Sequence, residues 1–218
     1  MVNKENYHNI LKECKEQDVQ LISVSKTKPV EDLEDLYAEG CRVFGENKVQ
    51  EITTKYETLP KDIQWHFIGH LQSNKVKYIA PFVQLIHAVD SAKLLGTVQK
   101  EALKNDRTID VLLQFHIATE SSKFGLSLEE VKEVLTTEHS NVNVRGVMGM
   151  ATFTDNVEQV RNEFKQLKHI FDTLKQDEFK DKTDFDIISM GMSGDYKIAI
   201  EEGSTMVRVG SSIFGSRS

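Results

Sequence analysis

Cysteine is scarce in this sequence: Cys14 and Cys41 are the only two in 218 residues, and they form no CxxC pair. That excludes a zinc ribbon and a disulfide scaffold, and it points to reduced thiols in a reducing compartment. Basic charge is also in short supply. The formal net charge is −7, so a broad surface for nucleic acid or anionic membrane, which needs clustered Lys and Arg, is not expected. No apolar run approaches the roughly 20 residues of a membrane span, and the stretch from Met1 to Cys14 is polar and charged. A GxSxG elbow is absent, so acyl transfer by a Ser-His-Asp arrangement has no support. These absences leave a cytoplasmic protein whose pocket takes, at most, a small anionic ligand.

What is present is a 39% hydrophobic chain, enough for one sizeable core, read here as one domain over 1–218. Short apolar runs alternate with helical periodicity throughout. Strands are expected at 20–24, 41–44, 63–68, 83–88, 109–117, 142–147, 185–190 and 205–209. Helices are expected at 5–15, 29–39, from Val49 to about Leu59, 73–79, 91–105, from Ser127 through Leu135, 157–175 and 198–201. Pro29 is read as a first helical residue, and Ser127 with Glu130 has capping-box spacing. Eight βα units match a single TIM-type (β/α)8 barrel, with an added N-terminal helix packing where a last helix would otherwise go. A doubly wound open sheet fits the same alternation, but the first strand–helix turn carries Ser-Lys-Thr-Lys-Pro where a dinucleotide fold needs glycines.

In such a barrel the C-terminal ends of the strands carry the chemistry. Lys26, just past the first strand, is a candidate for imine formation with a carbonyl; a solvated loop lysine is the bland alternative. The turns Met190–Asp195 and Arg208–Ser212 are rich in Gly and Ser and suit a phosphate, whereas Asp195 on its own reads as a helix cap. Arg208 interrupts an apolar strand. It either faces the barrel interior or turns outward to Glu201 or Glu202. Asn47 borders the mouth or caps a helix. His66 and His70 have HxxxH spacing, but Gly69 breaks the segment and no helix aligns them, so no metal is expected. His66, and with it His116, reads as lining or supporting the barrel. Lys123 is either a second cation at the mouth or a solvated loop lysine.

Taken together, Val-Ser-Lys-Thr-Lys-Pro, Phe-Gly-Glu-Asn, Trp-His-Phe-Ile-Gly-His-Leu-Gln-Ser-Asn-Lys, Met-Gly-Met-Ser and Val-Arg-Val-Gly-Ser-Ser-Ile-Phe-Gly give the sequence a close resemblance to the pyridoxal phosphate homeostasis protein family, also called the YggS or PROSC family. The likeness runs through essentially the whole chain in the same order. It implies the barrel of the alanine racemase N-terminal domain, with pyridoxal 5′-phosphate (PLP) held as a Schiff base on Lys26. It further implies that Ser193, Gly194, Gly210 and Ser211 hold the phosphate, that Arg208 faces the pyridine nitrogen, and that Asn47 borders the ring. Ser211 stands where the family often has Thr, which keeps the hydroxyl. Tyr196 and Lys197 lie at variable positions and receive no role.

An arginine stays protonated, so opposite the pyridine nitrogen it only donates, and the cofactor becomes a weak electron sink. Racemases of this fold nevertheless work with arginine. Their second proton-transfer group comes from a further domain, for which the nine residues after the last strand leave no room. The resemblance therefore implies PLP binding and delivery, with PLP-dependent apo-enzymes as recipients, by a monomer with a solvent-open cofactor face. A weak, broad amino-acid racemase is the alternative, and an aldolase-type sugar-phosphate barrel is a third reading.

Overall fold

The computed structural model describes residues 2–119, 125–135 and 140–215. Eight parallel strands close in sequence order into a barrel, the eighth pairing back onto the first. They are β1 (Gln20–Val24), β2 (Val43–Glu46), β3 (Gln64–Phe67), β4 (Leu85–Val89), β5 (Ile109–Gln114), β6 (Val142–Met148), β7 (Ile187–Met192) and β8 (Met206–Val209). The helices are α1 (Lys4–Glu16), α2 (Val30–Ala38), α3 (Val49–Thr58), α4 (Val76–Ile79), α5 (Ala92–Lys104), α6 (Leu128–Leu135), α7 (Val157–Gln176), α8 (Tyr196–Glu201) and α9 (Ser211–Phe214).

Capping side chains start several helices where the sequence places them. Asn3, Ser91 and Asn156 each accept a backbone N–H in the first turn of α1, α5 and α7. At α6 the capping box is reciprocal: Glu130 N–H donates to Ser127 Oγ, and Ser127 N–H donates to Glu130 Oε2. Pro29 differs from expectation. It is the N-cap of α2 rather than its first helical residue, with an extended ψ of 162°.

Two strands lie two residues beyond their apolar runs. Cys41 N–H donates to Leu36 O at the end of α2, so the second strand begins only at Val43 and continues through the charged Glu46. Glu46 is tolerated there because Lys55 pairs with it. In the seventh, Phe185 stacks against Phe171 and Phe179 in the helical layer, and the ladder runs on through Gly191 to Met192. The fifth strand is shorter than expected: Phe115 lies beyond its end, donating its N–H to Met148 O and making an isolated bridge to Leu126.

Helix α1 crosses the seam where β8 meets β1. Asn3 N–H donates to Ile213 O and Asn6 Nδ2 to Ser212 O, while Glu13 accepts from Tyr196 and Lys197 of α8. It thus occupies the outer-layer position expected of a terminal helix. The main core lies between the strands and this helical layer. Inside the barrel a small apolar cluster, including Ile22, Leu85, Leu112, Met148 and Met206, fills the lumen.

Candidate functional site

Strand alternation carries Lys26 to the barrel mouth. Ile22 lies in the lumen cluster and Val24 lines the cavity at the mouth, so the next inward position is Lys26. Ser25 N–H donates to Gly45 O at 3.0 Å, which extends the β1–β2 ladder one residue beyond Val24. Ser25 is itself fully buried on the outer face.

Arg208 faces inward, as one of the two sequence readings expects, and is 4% exposed. Glu201 and Glu202, its alternative partners, instead bind Arg161. Arg208 Nη1 donates to Ser189 Oγ at 2.5 Å and Nη2 to Gly149 O at 3.1 Å. The chain of contacts continues inward, from Ser189 Oγ to His87 Nδ1 at 3.0 Å and from His87 Nε2 to His66 Nδ1 at 3.0 Å. Burial pushes the Arg208 pKa down to about 10, with Asp195 opposing the fall. Burial also drives His66 down to about 3. His87 falls well below the ordinary histidine value, through burial first and then the charges of His66 and Arg208. Near neutral pH both imidazoles are therefore neutral and the guanidinium is charged. Sequence reasoning gave His66 a supporting place in the barrel. It missed His87 and Ser189, although an imidazole inside the apolar run Leu85–Val89 is the same kind of signal that singled out Arg208.

The turns after β7 and β8 are tied together, since Gly210 N–H donates to Ser193 Oγ at 3.1 Å. A Cβ at Gly210 would meet Val24 O at 3.0 Å, so a larger residue would press this turn away from the first strand. Asp195 sits at the N-cap of α8 without a side-chain capping bond; its Oδ1 accepts from Met192 N–H at 2.5 Å and so fixes the turn.

All seven residues proposed from the sequence, Lys26, Asn47, Ser193, Gly194, Arg208, Gly210 and Ser211, line one cavity of about 580 Å³ at the strands' C-terminal ends. Lys28 joins Lys26 and Arg208, so three basic side chains face the cavity against one carboxylate, Asp195. In a chain of net charge −7 this is a local reversal that favours an anion. Asn47 Oδ1 is buried and has no hydrogen-bond partner among the described residues. Gly69 packs against the Asn47 backbone so tightly that a Cβ there would lie 2.4 Å from Asn47 O. His70 also lines the cavity and contacts Asp90 at 3.1 Å, whereas His66 lies deeper in the lumen. No group of metal-ligating side chains forms a site among the described residues. His116 is not among the residues lining the cavity, and Lys123 lies outside the described residues.

Residues 3–218 match the family model described as the alanine racemase N-terminal domain. A pyridoxal phosphate homeostasis protein of Aquifex aeolicus is 42% identical over 205 residues, covering 93% of this chain and 89% of that protein. PipY of Synechococcus elongatus superposes with TM-score 0.89 without PLP. With PLP bound its TM-score is 0.85, at 31% identity over 97% of this chain and 99% of that one. An alanine racemase of Clostridium difficile shares the fold at 17% identity and TM-score 0.75, and 60% of its length is covered. The chain belongs to the alanine racemase N-terminal domain family and, within it, to the pyridoxal phosphate homeostasis proteins.

Proposed function

We propose that this protein binds pyridoxal 5′-phosphate at the barrel mouth, holds it reversibly through Lys26, and serves PLP homeostasis in the cell by delivering it to apo-enzymes. The observation that carries this reading is the single cavity that gathers a strand-end lysine, a buried arginine and two linked Gly/Ser turns. The groups fit the cofactor's parts. Ser193, Gly194 and Ser211 offer small, polar surroundings for a phosphate, and the basic excess suits its charge. Arg208, fixed by Ser189 and Gly149 O, is a donor for a ring nitrogen. Asn47 Oδ1 is an acceptor still in need of a donor.

The cofactor supplies an aldehyde. Lys26 Nζ, once deprotonated, would be the amine that holds it, a C=N bond replacing C=O and the two amine protons leaving with the oxygen as water. No electrons change hands, so the step reverses by hydrolysis and suits storage and release. PipY, a structural relative, has been solved with PLP bound, and relatives that match along most of their length are homeostasis proteins.

The test is spectroscopic. Purified protein mixed with PLP should show a Schiff-base absorption band in the violet, absent in Lys26→Ala, and borohydride reduction should fix the adduct on Lys26. Failure to form the band would sink the reading. Sustained interconversion of amino-acid enantiomers, abolished by Lys26→Ala, would replace delivery with racemisation.

A further inference from the structure

Behind the wall formed by β1 and β2, on the side away from the cavity, lies a cluster of three charged residues, two of them buried. Glu46 is fully buried and the Lys55 side chain is 4% exposed; Glu51 is 20% exposed. Lys55 Nζ reaches Glu46 Oε1 at 2.7 Å and Glu51 Oε1 at 2.8 Å. Burying such groups costs stability, which calls for a local reason. The remaining contacts supply one. Ser25 Oγ donates to Glu46 Oε1 at 2.6 Å, and Lys55 Nζ donates to Ser25 O at 2.9 Å. On the other side of Lys26, Thr27 N–H donates to Glu51 Oε1 at 2.5 Å.

Both chain neighbours of Lys26 are thus held by one cluster. Between them the backbone makes a four-residue turn, closed by Lys28 N–H to Ser25 O at 3.1 Å. Lys26 occupies its second position and Thr27 its third, with φ of +65°. A positive φ there belongs to turns that favour glycine, and a β-branched residue pays conformational energy to adopt it. Strain of this kind persists where surrounding contacts over-determine the backbone. Here those contacts are Glu51 on Thr27 and Glu46 with Lys55 on Ser25.

We infer that the Glu46–Lys55–Glu51 cluster is the positioning device for Lys26: from outside the barrel it locks the Ser25–Lys28 turn so that the lysine amine is aimed into the cavity. The inference rests on the proposed role of Lys26 as the PLP-binding amine. None of the three residues lines the cavity, so their effect passes through the backbone of Ser25 and Thr27.

The test separates imine formation from occupancy of the pocket, using PLP and pyridoxine 5′-phosphate, which has the same ring and phosphate but no aldehyde. Glu51→Ala removes the acceptor for Thr27 N–H at a partly exposed site. It should weaken PLP binding, read from the Schiff-base band and from borohydride trapping on Lys26, by about tenfold. Binding of pyridoxine 5′-phosphate should stay within about twofold, since its contacts are spared. Glu51→Gln keeps an acceptor oxygen and should recover most of the imine. Equal losses for both ligands would mean a general structural defect and would overturn the positioning role, as would unchanged PLP binding in Glu51→Ala. If the wild-type protein bound pyridoxine 5′-phosphate but trapped no PLP on Lys26, the covalent reading itself would fall, and the positioning role with it.

Discussion

Lys26 and Arg208 reach one cavity from strands that pair with each other, yet the protein grips them in opposite ways. Around Lys26 the grip is charged, lies outside the barrel wall and acts on the neighbouring backbone. Around Arg208 it is neutral, lies inside the lumen and acts on the side chain itself, through Ser189 and Gly149 O. The difference matches what each group has to do. A lysine that attacks a carbonyl must lose its proton, so orientation is best imposed through the chain. An arginine that donates to a ring nitrogen must stay charged. Even after burial its pKa of about 10 keeps it so at neutral pH.

The sharpest way to break the comparison is to remove the cation of the outer cluster. Lys55→Met leaves Glu46 buried without its counter-charge, and the expected loss is about 3–5 kcal/mol of folding stability. Glu46→Gln combined with Lys55→Met removes both charges and should recover most of that loss, because the cost comes from the stranded carboxylate. Urea unfolding of the two variants beside wild type measures this. A double variant as unstable as the single one would show that shape, not charge, holds the turn.

How much of these two regions could be read from the sequence follows from the same contrast. The barrel was legible because eight apolar runs alternate with helical periodicity, and Lys26 and Arg208 because each is a charge at a strand's end or in its interior. All seven residues named from the sequence do line the cavity. The outer cluster was not legible. Glu46 falls between the strand expected at 41–44 and the helix expected from Val49, because a carboxylate ends an apolar run unless a buried cation pairs with it. That cation, Lys55, sits two turns along α3, a helix that also carries the exposed Glu57, so its charge alone gave no sign of burial. The Arg208 relay was half visible: His66 drew notice for its spacing, whereas Ser189 is a small polar residue that signals nothing until a guanidinium is found against it.

A milder break is available at the lumen. Ser189→Ala deprives Arg208 of one acceptor and His87 Nδ1 of its partner while leaving Gly149 O and the His66–His87 contact in place. The expected cost is about 1–3 kcal/mol, the range for stranding a buried polar group. A loss as large as that of Lys55→Met, measured in the same urea series, would mean that the neutral grip is as critical as the charged one.

The smallest effect is the most specific to the lumen, because it depends on pH. The buried His66 and His87 have pKa values below the unfolded value of about 6.5, so below that pH the unfolded chain takes up protons that the folded chain refuses. Their contribution to stability is complete above about pH 6.5 and is lost progressively as the pH falls toward their folded values, about 3 for His66. His87→Gln removes one such site. Relative to its own stability at pH 7, it should lose less than wild type on acidification to pH 5.5, by at most about 1.4 kcal/mol, the limit of one proton over one pH unit. Carboxylates common to both proteins cancel in that difference, and Arg208 stays charged throughout. Identical acid profiles would show that His87 takes up its proton inside the fold, and that the lumen is not the dry, neutral support for Arg208 that sets it apart from the charged cluster behind Lys26.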